Sequence, residues 1–159
     1  MTKIQGVVVT QLDRAPDNRG FFSEVARRSA DPAPFVQLNH SFSKRGVLRG
    51  LHYHRDQADL WYVVRGRAQI ALVDLRDDRR IVETLVVSDE EPTSVYIPPG
   101  VAHGYLALTD LDLIYLVTHE YDGSDEHGVA WDDPALAIPW ENTEPELSDR
   151  DRNNPPAGG

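Results

Sequence analysis

Short runs of β-branched and aliphatic residues recur along the whole chain, and glycine, proline, aspartate or asparagine separates most of them. These runs predict strands at 4–9, 47–54, 60–64, 68–75, 82–87, 94–97 and 111–118. Within 68–73 the pattern has a period of two, which places Ala68, Ile70 and Leu72 on one face of a strand. The difference in hydrophobicity between the two faces is modest. No segment keeps a helical period over a dozen residues. Many short strands with close turns predict an all-β sandwich or barrel.

The size and composition fit one folded domain. A chain of 159 residues, 40% of them hydrophobic, can bury a substantial core, and no linker divides it. The last residues, Asn-Asn-Pro-Pro-Ala-Gly-Gly, offer little apolar surface for packing. We therefore expect a single domain over 1–151 and a disordered tail over 152–159.

The charge and the cysteine count exclude several classes of partner and location. A formal net charge of −10 argues against binding a nucleic-acid backbone, although convergent arginines would still hold a small anionic ligand. Without cysteine there are no disulfides, and a reducing compartment is expected. No apolar run approaches the ~20 residues that span a bilayer, and no signal-peptide pattern is present. We expect a cytoplasmic protein that binds neither nucleic acid nor membrane.

Two histidine-containing stretches carry the candidate chemistry. In Gly50-Leu-His-Tyr-His54, the residues His52 and His54 lie two apart, so a strand places both on one face. Asp59 follows, and Pro98-Pro-Gly-Val-Ala-His103 lies downstream. Together these stretches resemble the two cupin motifs, which are HxH followed by an acidic residue and a glycine, and PxGxxH.

The cupin resemblance implies a jelly-roll β-barrel with a metal centre. In metal-binding cupins the three histidines and the carboxylate bind one divalent ion, and the matching residues here are His52, His54, Asp59 and His103. Aspartate stands in place of the usual glutamate, so this shorter side chain must reach further. Three imidazoles and one carboxylate suit Fe, Mn, Ni, Zn or Cu without choosing among them.

A wider resemblance covers nearly the whole chain. The sequence is similar to the dTDP-4-dehydrorhamnose 3,5-epimerase family of sugar-nucleotide epimerases. The matching stretches are Asp17-Asn-Arg-Gly-Phe-Phe-Ser-Glu24, Gln37-Leu-Asn-His-Ser41, Gly46-Val-Leu-Arg-Gly-Leu-His52, Val73-Asp-Leu-Arg76, Ile97-Pro-Pro-Gly-Val-Ala-His-Gly104, Tyr115, Tyr121, Glu126, Trp131-Asp-Asp-Pro134 and Leu147-Ser-Asp-Arg-Asp151. The resemblance implies a nucleotide-sugar substrate and a homodimer in which an N-terminal segment completes the partner's sheet.

The family's chemistry is proton abstraction next to the ketone of a 4-keto sugar, and the resemblance assigns residues to it. It makes His52 the base, Asp151 the carboxylate that orients it, and Tyr115 the acid that returns a proton. The substrate- or nucleotide-contacting positions are Arg19, Glu24, Gln37, Asn39, Arg49, Tyr121 and Glu126. Arginine suits a diphosphate because its planar fork donates two hydrogen bonds to one anion.

The chain departs from the family at two positions beside this site. The family has a lysine where this chain has Asp59, and commonly a glutamine where it has His54. At about 5 Å and an effective dielectric near 20, a carboxylate raises the energy of an enolate by ~3 kcal/mol. A lysine at the same position lowers the energy of the enolate by a similar amount. The swing of roughly 6 kcal/mol is worth about four orders of magnitude in rate. A divalent cation would neutralise Asp59 and replace the lysine, but a metal-bound His52 would not serve as a free base.

Three hypotheses about function remain at this point. The first is a metal-assisted isomerase or epimerase of a nucleotide-linked 4-keto-6-deoxy sugar. The second is a metal-dependent cupin enzyme acting on another small molecule by isomerisation, dehydration or oxygen chemistry. The third is a non-catalytic sugar-binding cupin, which the loss of the lysine alone supports. Barrels of this type host many chemistries, so the fold does not separate the three.

Overall fold

The computed structural model describes residues 2–30 and 32–158, and strands form nearly all of its regular structure. The strands are β1 Val8–Gln11, β2 Ala15–Asp17, β3 Gly20–Phe22, β4 Gln37–Ser43, β5 Leu48–Tyr53, β6 Asp59–Arg65, β7 Arg67–Asp74, β8 Val82–Ser88, β9 Thr93–Ile97, β10 Val101–Ala107, β11 Leu111–Val117 and β12 His127–Gly128, and the short helix α1 is Asp149–Arg152. Two five-stranded antiparallel sheets face each other as a cupin-like jelly roll. The predicted all-β class is confirmed.

The core lies between these two sheets. The first sheet has the order β1-β9-β6-β11-β4, and the second has the order β12-β5-β10-β7-β8. Trp61, Val95 and Leu113 of the first sheet pack with Ile70 and Leu72 of the second, and all are buried. The face of β7 predicted from the alternation is therefore the face that points into the barrel.

The other face of β7 is covered by the C-terminal part of the chain. Ala71 and Val73 pack against Val129 and Leu136 in a second buried cluster. The Gln69 side chain on the same face hydrogen-bonds two backbone groups of that C-terminal segment. Because both faces of the strand are buried, both are largely apolar, which explains the modest contrast in the sequence.

The end of the chain differs from the disordered tail expected from 152 onward. Arg152 belongs to α1, the carbonyl of Pro155 accepts a hydrogen bond from Ala130 N at 2.7 Å, and Ala157 N donates to Asp133 Oδ2 at 2.7 Å. Gly159 lies outside the described residues. The backbone of this segment finds partners on the barrel, so its polar and proline-rich composition does not prevent packing.

Strand β4 was not predicted because its pattern is inverted. Gln37, Asn39 and Ser41 line the barrel interior, whereas Leu38 and Phe42 on the other face of the strand are 60% and 46% exposed. A strand with polar residues inside and apolar residues outside does not have the usual signature of a half-buried strand. The strand expected at 4–9 also begins later, at Val8, since residues 4–7 form a turn. Strands β2, β3, β10 and β12 were likewise not predicted.

Two glycines let β5 and β10 come close together. A Cβ atom added at Gly50 would lie 2.6 Å from Gly104 Cα, and Gly50 has a φ of +127°. Other residues would therefore push the strands apart. The pairing places His52 of β5 directly opposite His103 of β10, so two of the predicted site residues meet at this contact.

Candidate active site

The interior of the barrel contains a cavity of about 470 Å³ that opens at one end. Eleven of the residues singled out from the sequence line it: Gln37, Asn39, Arg49, His52, His54, Asp59, His103, Tyr115, Tyr121, Glu126 and Asp151. They come from β4, β5, β6, β10 and β11, from α1, and from the loops after β5 and β11. The fold therefore assembles one polar cavity from residues spread over most of the chain.

His52 and Asp151 form a close pair in this cavity. His52 Nε2 lies 2.6 Å from Asp151 Oδ1, and Gly50 N donates to Asp151 Oδ2 at 3.2 Å. Ser148 caps α1 by accepting a hydrogen bond from Asp151 N at 3.1 Å, which fixes the start of the helix. Burial would raise the pKa of Asp151, but the hydrogen bonds from His52 and Gly50 outweigh it and keep the pKa below its ordinary value. The carboxylate stays ionised beside the imidazole.

A second group, which we call the His–Asp cluster, consists of His54, Asp59 and His103. One potential ligand atom from each lies within 4.8 Å of the others, and His103 Nε2 is 3.8 Å from Asp59 Oδ2. Gln57 Nε2 and Trp61 Nε1 donate to the Asp59 carboxylate at 2.9 and 3.2 Å. Asp59 and His103 are buried and His54 is half-buried, so the cluster lies deep in the cavity.

Both imidazoles of the His–Asp cluster are oriented by backbone carbonyls. His54 Nδ1 lies 2.7 Å from the carbonyl oxygen of Asp125, and His103 Nδ1 lies 2.9 Å from that of Val101. A carbonyl only accepts, so each Nδ1 carries the hydrogen and each neutral ring has its lone pair on Nε2. Burial lowers the pKa of His103 to about 4, which keeps this ring neutral.

The structure corrects one part of the predicted metal site. His52 was expected to be a fourth ligand, but the group of mutually close ligand atoms contains His54, Asp59 and His103 without it. The Nε2 atom of His52 instead hydrogen-bonds to the Asp151 carboxylate. The HxH spacing places both rings in the cavity, but separate partners at Asp151 and Asp125 direct the two rings differently.

Tyr115 enters the cavity from the opposite sheet to His52. It lies on β11, between Trp61 and Asn39 on the neighbouring strands, whereas His52 lies on β5 of the second sheet. Burial and the nearby charge of Asp59 raise the pKa of Tyr115 above its ordinary value. The phenol is therefore protonated at neutral pH and can donate a proton.

The mouth of the cavity carries two arginines, one of which sequence reasoning did not single out. Arg49 donates to Ser43 Oγ at 2.9 Å, and Arg150 pairs with Glu126 at 2.7 Å. Burial would raise the pKa of Glu126, but hydrogen bonds from Arg150 and Tyr121 hold the pKa below its ordinary value. Arg150 stands next to Asp151 in the matched stretch at 147–151, and that position was the available signal. The two guanidinium groups suit an anionic ligand.

Gln37 connects two of the other predicted contact residues. Its Nε2 donates to Asn39 Oδ1 at 2.8 Å, and its Oε1 accepts from Tyr121 N at 3.0 Å. The loop after β11 is thereby fastened to the polar face of β4. These amides fix the wall of the cavity opposite the His52–Asp151 pair, which lies on the second sheet and α1.

Arg19 and Glu24 are not brought to the cavity of their own chain. Arg19 hydrogen-bonds Asp17, Glu24 hydrogen-bonds Arg27 at 2.7 Å, and all four lie on the exposed N-terminal arm formed by residues 12–28. These ion pairs are local and solvated, so within a single chain they have no role in the site.

Comparison with known proteins agrees with this architecture. The model of the family described as dTDP-4-dehydrorhamnose 3,5-epimerase matches residues 1–157. The spore coat polysaccharide biosynthesis protein SpsL of Bacillus subtilis is 40% identical over 149 residues, which cover 89% of this chain and 98% of the relative. The dTDP-4-dehydrorhamnose 3,5-epimerase of Methanothermobacter thermautotrophicus is 35% identical over 166 residues, with 96% and 90% covered. None of the helical residues that the structure describes forms a segment long and apolar enough to cross a bilayer.

Solved structures extend the similarity to the whole barrel. The dTDP-4-dehydrorhamnose 3,5-epimerase of Bacillus anthracis, with TDP and pyrophosphate bound, superposes with a TM-score of 0.92 at 32% identity, over 98% of this chain and 97% of that one. ChmJ, a 3'-monoepimerase of Streptomyces bikiniensis in complex with dTDP-quinovose, gives 0.92 at 34% identity, over 99% and 86%. This chain belongs to the dTDP-4-dehydrorhamnose 3,5-epimerase family.

Proposed function

We propose that this protein is an epimerase that acts on a nucleotide-linked 4-keto-6-deoxy sugar by removing a proton next to the ketone. The observation that carries the proposal is the His52–Asp151 pair, 2.6 Å apart in a cavity that Tyr115 enters from the other sheet. An epimerisation needs a base on one face of the reacting carbon and an acid on the other. Relatives with bound TDP or dTDP-quinovose support a nucleotide-linked substrate.

The proton transfers follow from the hydrogen bonds of the pair. His52 Nε2–H donates to Asp151, so the lone pair lies on Nδ1, and this nitrogen takes the proton from the carbon. The C–H electron pair moves into the enolate, while the Asp151 carboxylate stabilises the imidazolium that forms. The Tyr115 hydroxyl then gives its proton to the same carbon from the opposite face, which inverts the configuration and regenerates the ketone. Arg49 and Arg150 at the mouth bind the diphosphate.

The His–Asp cluster supplies the residues for a divalent transition metal in this proposal. Two imidazoles that direct Nε2 away from their Nδ1 hydrogen bonds and one carboxylate are ligands that such ions prefer, and none of them is needed as the base. A bound divalent ion would supply the positive charge that stabilises the enolate oxygen in place of the family's lysine.

A homodimer would bring Arg19 and Glu24 to a cavity. Both lie on the exposed N-terminal arm, where Phe21 and Phe22 are 56% and 71% exposed. Exposed aromatic side chains of this size at two consecutive positions are typical of a segment that another chain covers. We infer that each arm packs on a second copy of the chain, and that Arg19 and Glu24 contact the substrate held there. The cytoplasmic location stays a prediction.

The two other hypotheses are less well supported. A different metal-dependent reaction would account for the His–Asp cluster but not for the His52–Asp151 pair facing Tyr115. A non-catalytic sugar-binding protein would need none of these proton-transfer groups. The retained acid and base therefore favour epimerisation.

Deuterium exchange tests the proposal directly. The protein is incubated in D₂O with dTDP-4-keto-6-deoxyglucose, as isolated and after addition of Fe²⁺, Mn²⁺, Ni²⁺, Zn²⁺ or Cu²⁺, and the sugar is analysed by NMR. We expect deuterium at C3, at C5 or at both. No exchange in any of these samples would refute epimerisation of this substrate class. Metal content is measured on protein purified without an affinity tag, and about one equivalent is expected if one ion fills the site.

A further inference from the structure

We propose that Asp125 is a positioning residue that fixes both His54 and Asp59 in the geometry for metal binding, an inference that rests on the proposed metal site. Its carboxylate accepts three backbone hydrogen bonds from the loop between β5 and β6. Oδ1 accepts from Arg55 N at 2.8 Å, and Oδ2 accepts from Asp56 N at 2.9 Å and Gln57 N at 3.2 Å. This loop begins with His54 and ends directly before Asp59, the first residue of β6.

The same residue also orients the His54 ring. The backbone carbonyl of Asp125 accepts the Nδ1 hydrogen at 2.7 Å, although the two residues are 71 positions apart. His103 Nδ1 donates the equivalent hydrogen bond to the carbonyl of Val101, which is only two residues away in sequence. The orientation of His103 is therefore local to β10, whereas that of His54 depends on how a distant loop is anchored.

The effect of Asp125 extends to the carboxylate ligand. Gln57, whose backbone is held by Asp125, donates from Nε2 to Asp59 Oδ1 at 2.9 Å. The Asp125 side chain therefore holds a loop that contains His54 at one end and Gln57, the hydrogen-bond donor to Asp59, near the other. Such contacts to metal-binding residues fix the ring orientation and the tautomer, and their loss typically weakens metal binding about 10–100-fold.

The surroundings of Asp125 agree with a carboxylate held in place. Its side chain is 27% exposed, and His127 Nε2 lies 3.5 Å from Oδ1. The His127 ring stacks on Tyr53 of β5 at 5.0 Å between centroids. Burial would raise the pKa of Asp125, but the three backbone hydrogen bonds outweigh it and keep the pKa below its ordinary value. The group remains an acceptor at neutral pH.

The experiment compares Asp125→Ala and Asp125→Asn with Asp122→Ala. Asp122 is the matched control, since it lies on the exposed part of the same loop and its Oδ1 accepts a local hydrogen bond, from Ser124 N at 2.8 Å. The tautomer of His54 is measured in metal-free protein from imidazole ¹⁵N shifts, assigned with His54→Gln. The affinity for Zn²⁺ is measured by competition with a chromogenic chelator.

We expect the wild type and Asp122→Ala to show His54 with hydrogen on Nδ1. Asp125→Ala should show a mixture of tautomers and a Zn²⁺ affinity about 10–100-fold lower. Asp125→Asn should give a tautomer ratio and a Zn²⁺ affinity between those of the wild type and Asp125→Ala, because its amide oxygen still accepts some of the three hydrogen bonds. If Asp125→Ala does not fold, Asp125→Asn is compared with the wild type in its place. Wild-type tautomer and affinity in the folded variants would overturn the inference. A wild type that binds no Zn²⁺ would instead refute the metal site, and the tautomer result would still decide whether Asp125 positions the ring.

Discussion

His52 Nε2 lies 2.6 Å from Asp151 Oδ1, although 99 positions separate the two residues in the sequence. The contact forms because the chain returns to the barrel at its end. The backbone of 146 pairs with residues 46 and 48, and α1 then places Asp151 next to Gly50 and His52. The base of the proposed reaction is therefore completed by α1, a short helix near the C-terminal end of the described residues.

Replacing Asp151 by asparagine should remove most of the activity without unfolding the protein. The amide has nearly the same shape but does not stabilise an imidazolium, so we expect the rate of deuterium exchange to fall by about 10²–10⁴-fold. Thermal unfolding checks that the fold persists. Asp149→Asn, on the exposed side of the same helix, should exchange at the wild-type rate. Equal rates for both variants would exclude the assigned role of Asp151.

Tyr115→Phe should separate proton removal from inversion. His52 would still remove and return a proton on its own face, so deuterium should enter the substrate while its configuration is retained. NMR reports both the isotope and the configuration. A variant that still inverts the carbon at more than about a tenth of the wild-type rate would show that another group is the acid, because general acids contribute about 10²–10⁴-fold.

The double variant His54→Gln with Asp59→Lys should change the electrophile of the site. It removes two of the three members of the His–Asp cluster, so we expect metal content to fall from about one equivalent to below a tenth of it. The introduced lysine supplies a positive charge, and deuterium exchange should become insensitive to chelators. His40→Gln, which removes an exposed ring paired with Asp112 outside the cavity, controls for the number of histidines. Unchanged metal content in the double variant would show that the ligand set is wrong.

Mixed dimers test whether the arm acts on a second subunit. His52→Ala and Glu24→Ala should each be inactive. If the site combines His52 of one chain with Glu24 of the other, then co-expression in equal amounts should restore about a quarter of the wild-type activity, since half of the dimers are mixed and each has one intact site. Light scattering should show two chains per particle. No recovery in a confirmed mixed dimer would place both residues in the same chain's site.

Acid stability should depend on Asp74, which anchors the turn before β10. Arg76 donates to Asp74 Oδ1 and Oδ2 at 2.7 Å each, and Arg76 Cγ would lie 2.6 Å from a Cβ atom at Gly100. These hydrogen bonds from Arg76 hold the pKa of Asp74 below its ordinary value. The carboxylate is therefore favoured in the folded state, and its contribution is complete above the unfolded pKa and is lost as the pH falls through the folded one.

Asp74→Asn should accordingly lower the free energy of unfolding by about 1.5–3 kcal/mol at pH 7, the range for hydrogen bonds to a charged group. The loss should shrink below about pH 4, where the Asp74 carboxyl of the unfolded chain begins to protonate. Denaturant titrations at several pH values measure both effects. Asp77→Asn, in the exposed pair with Arg79, is the control and should change stability very little. A pH-independent difference between Asp74→Asn and the wild type would contradict the ionic origin of the effect.

The residues by themselves determined the fold class and most of the cavity. Short runs with a period of two predict strands because alternate side chains leave a strand on opposite faces. The matched stretches led to His52, Tyr115 and Asp151, and all three line the cavity. The exchange of lysine for Asp59 is likewise visible in the sequence, and simple electrostatics shows that it must be compensated.

Only the tertiary structure decided which of these groups work together. The spacing in sequence places His52 and His54 on one face of a strand. Their hydrogen-bond partners, Asp151 and Asp125, are 99 and 71 positions away. The local pattern therefore does not reveal that His52 pairs with a carboxylate while His54 belongs to the His–Asp cluster. Strand β4 was missed because its polar side chains face the cavity. The packing of the C-terminal segment was missed because its hydrogen-bond partners, Ala130 N and the Asp133 carboxylate, lie more than 20 positions earlier in the chain. Strand pattern is set between neighbouring residues, whereas ring orientation and segment docking are set by contacts that exist only after the barrel closes.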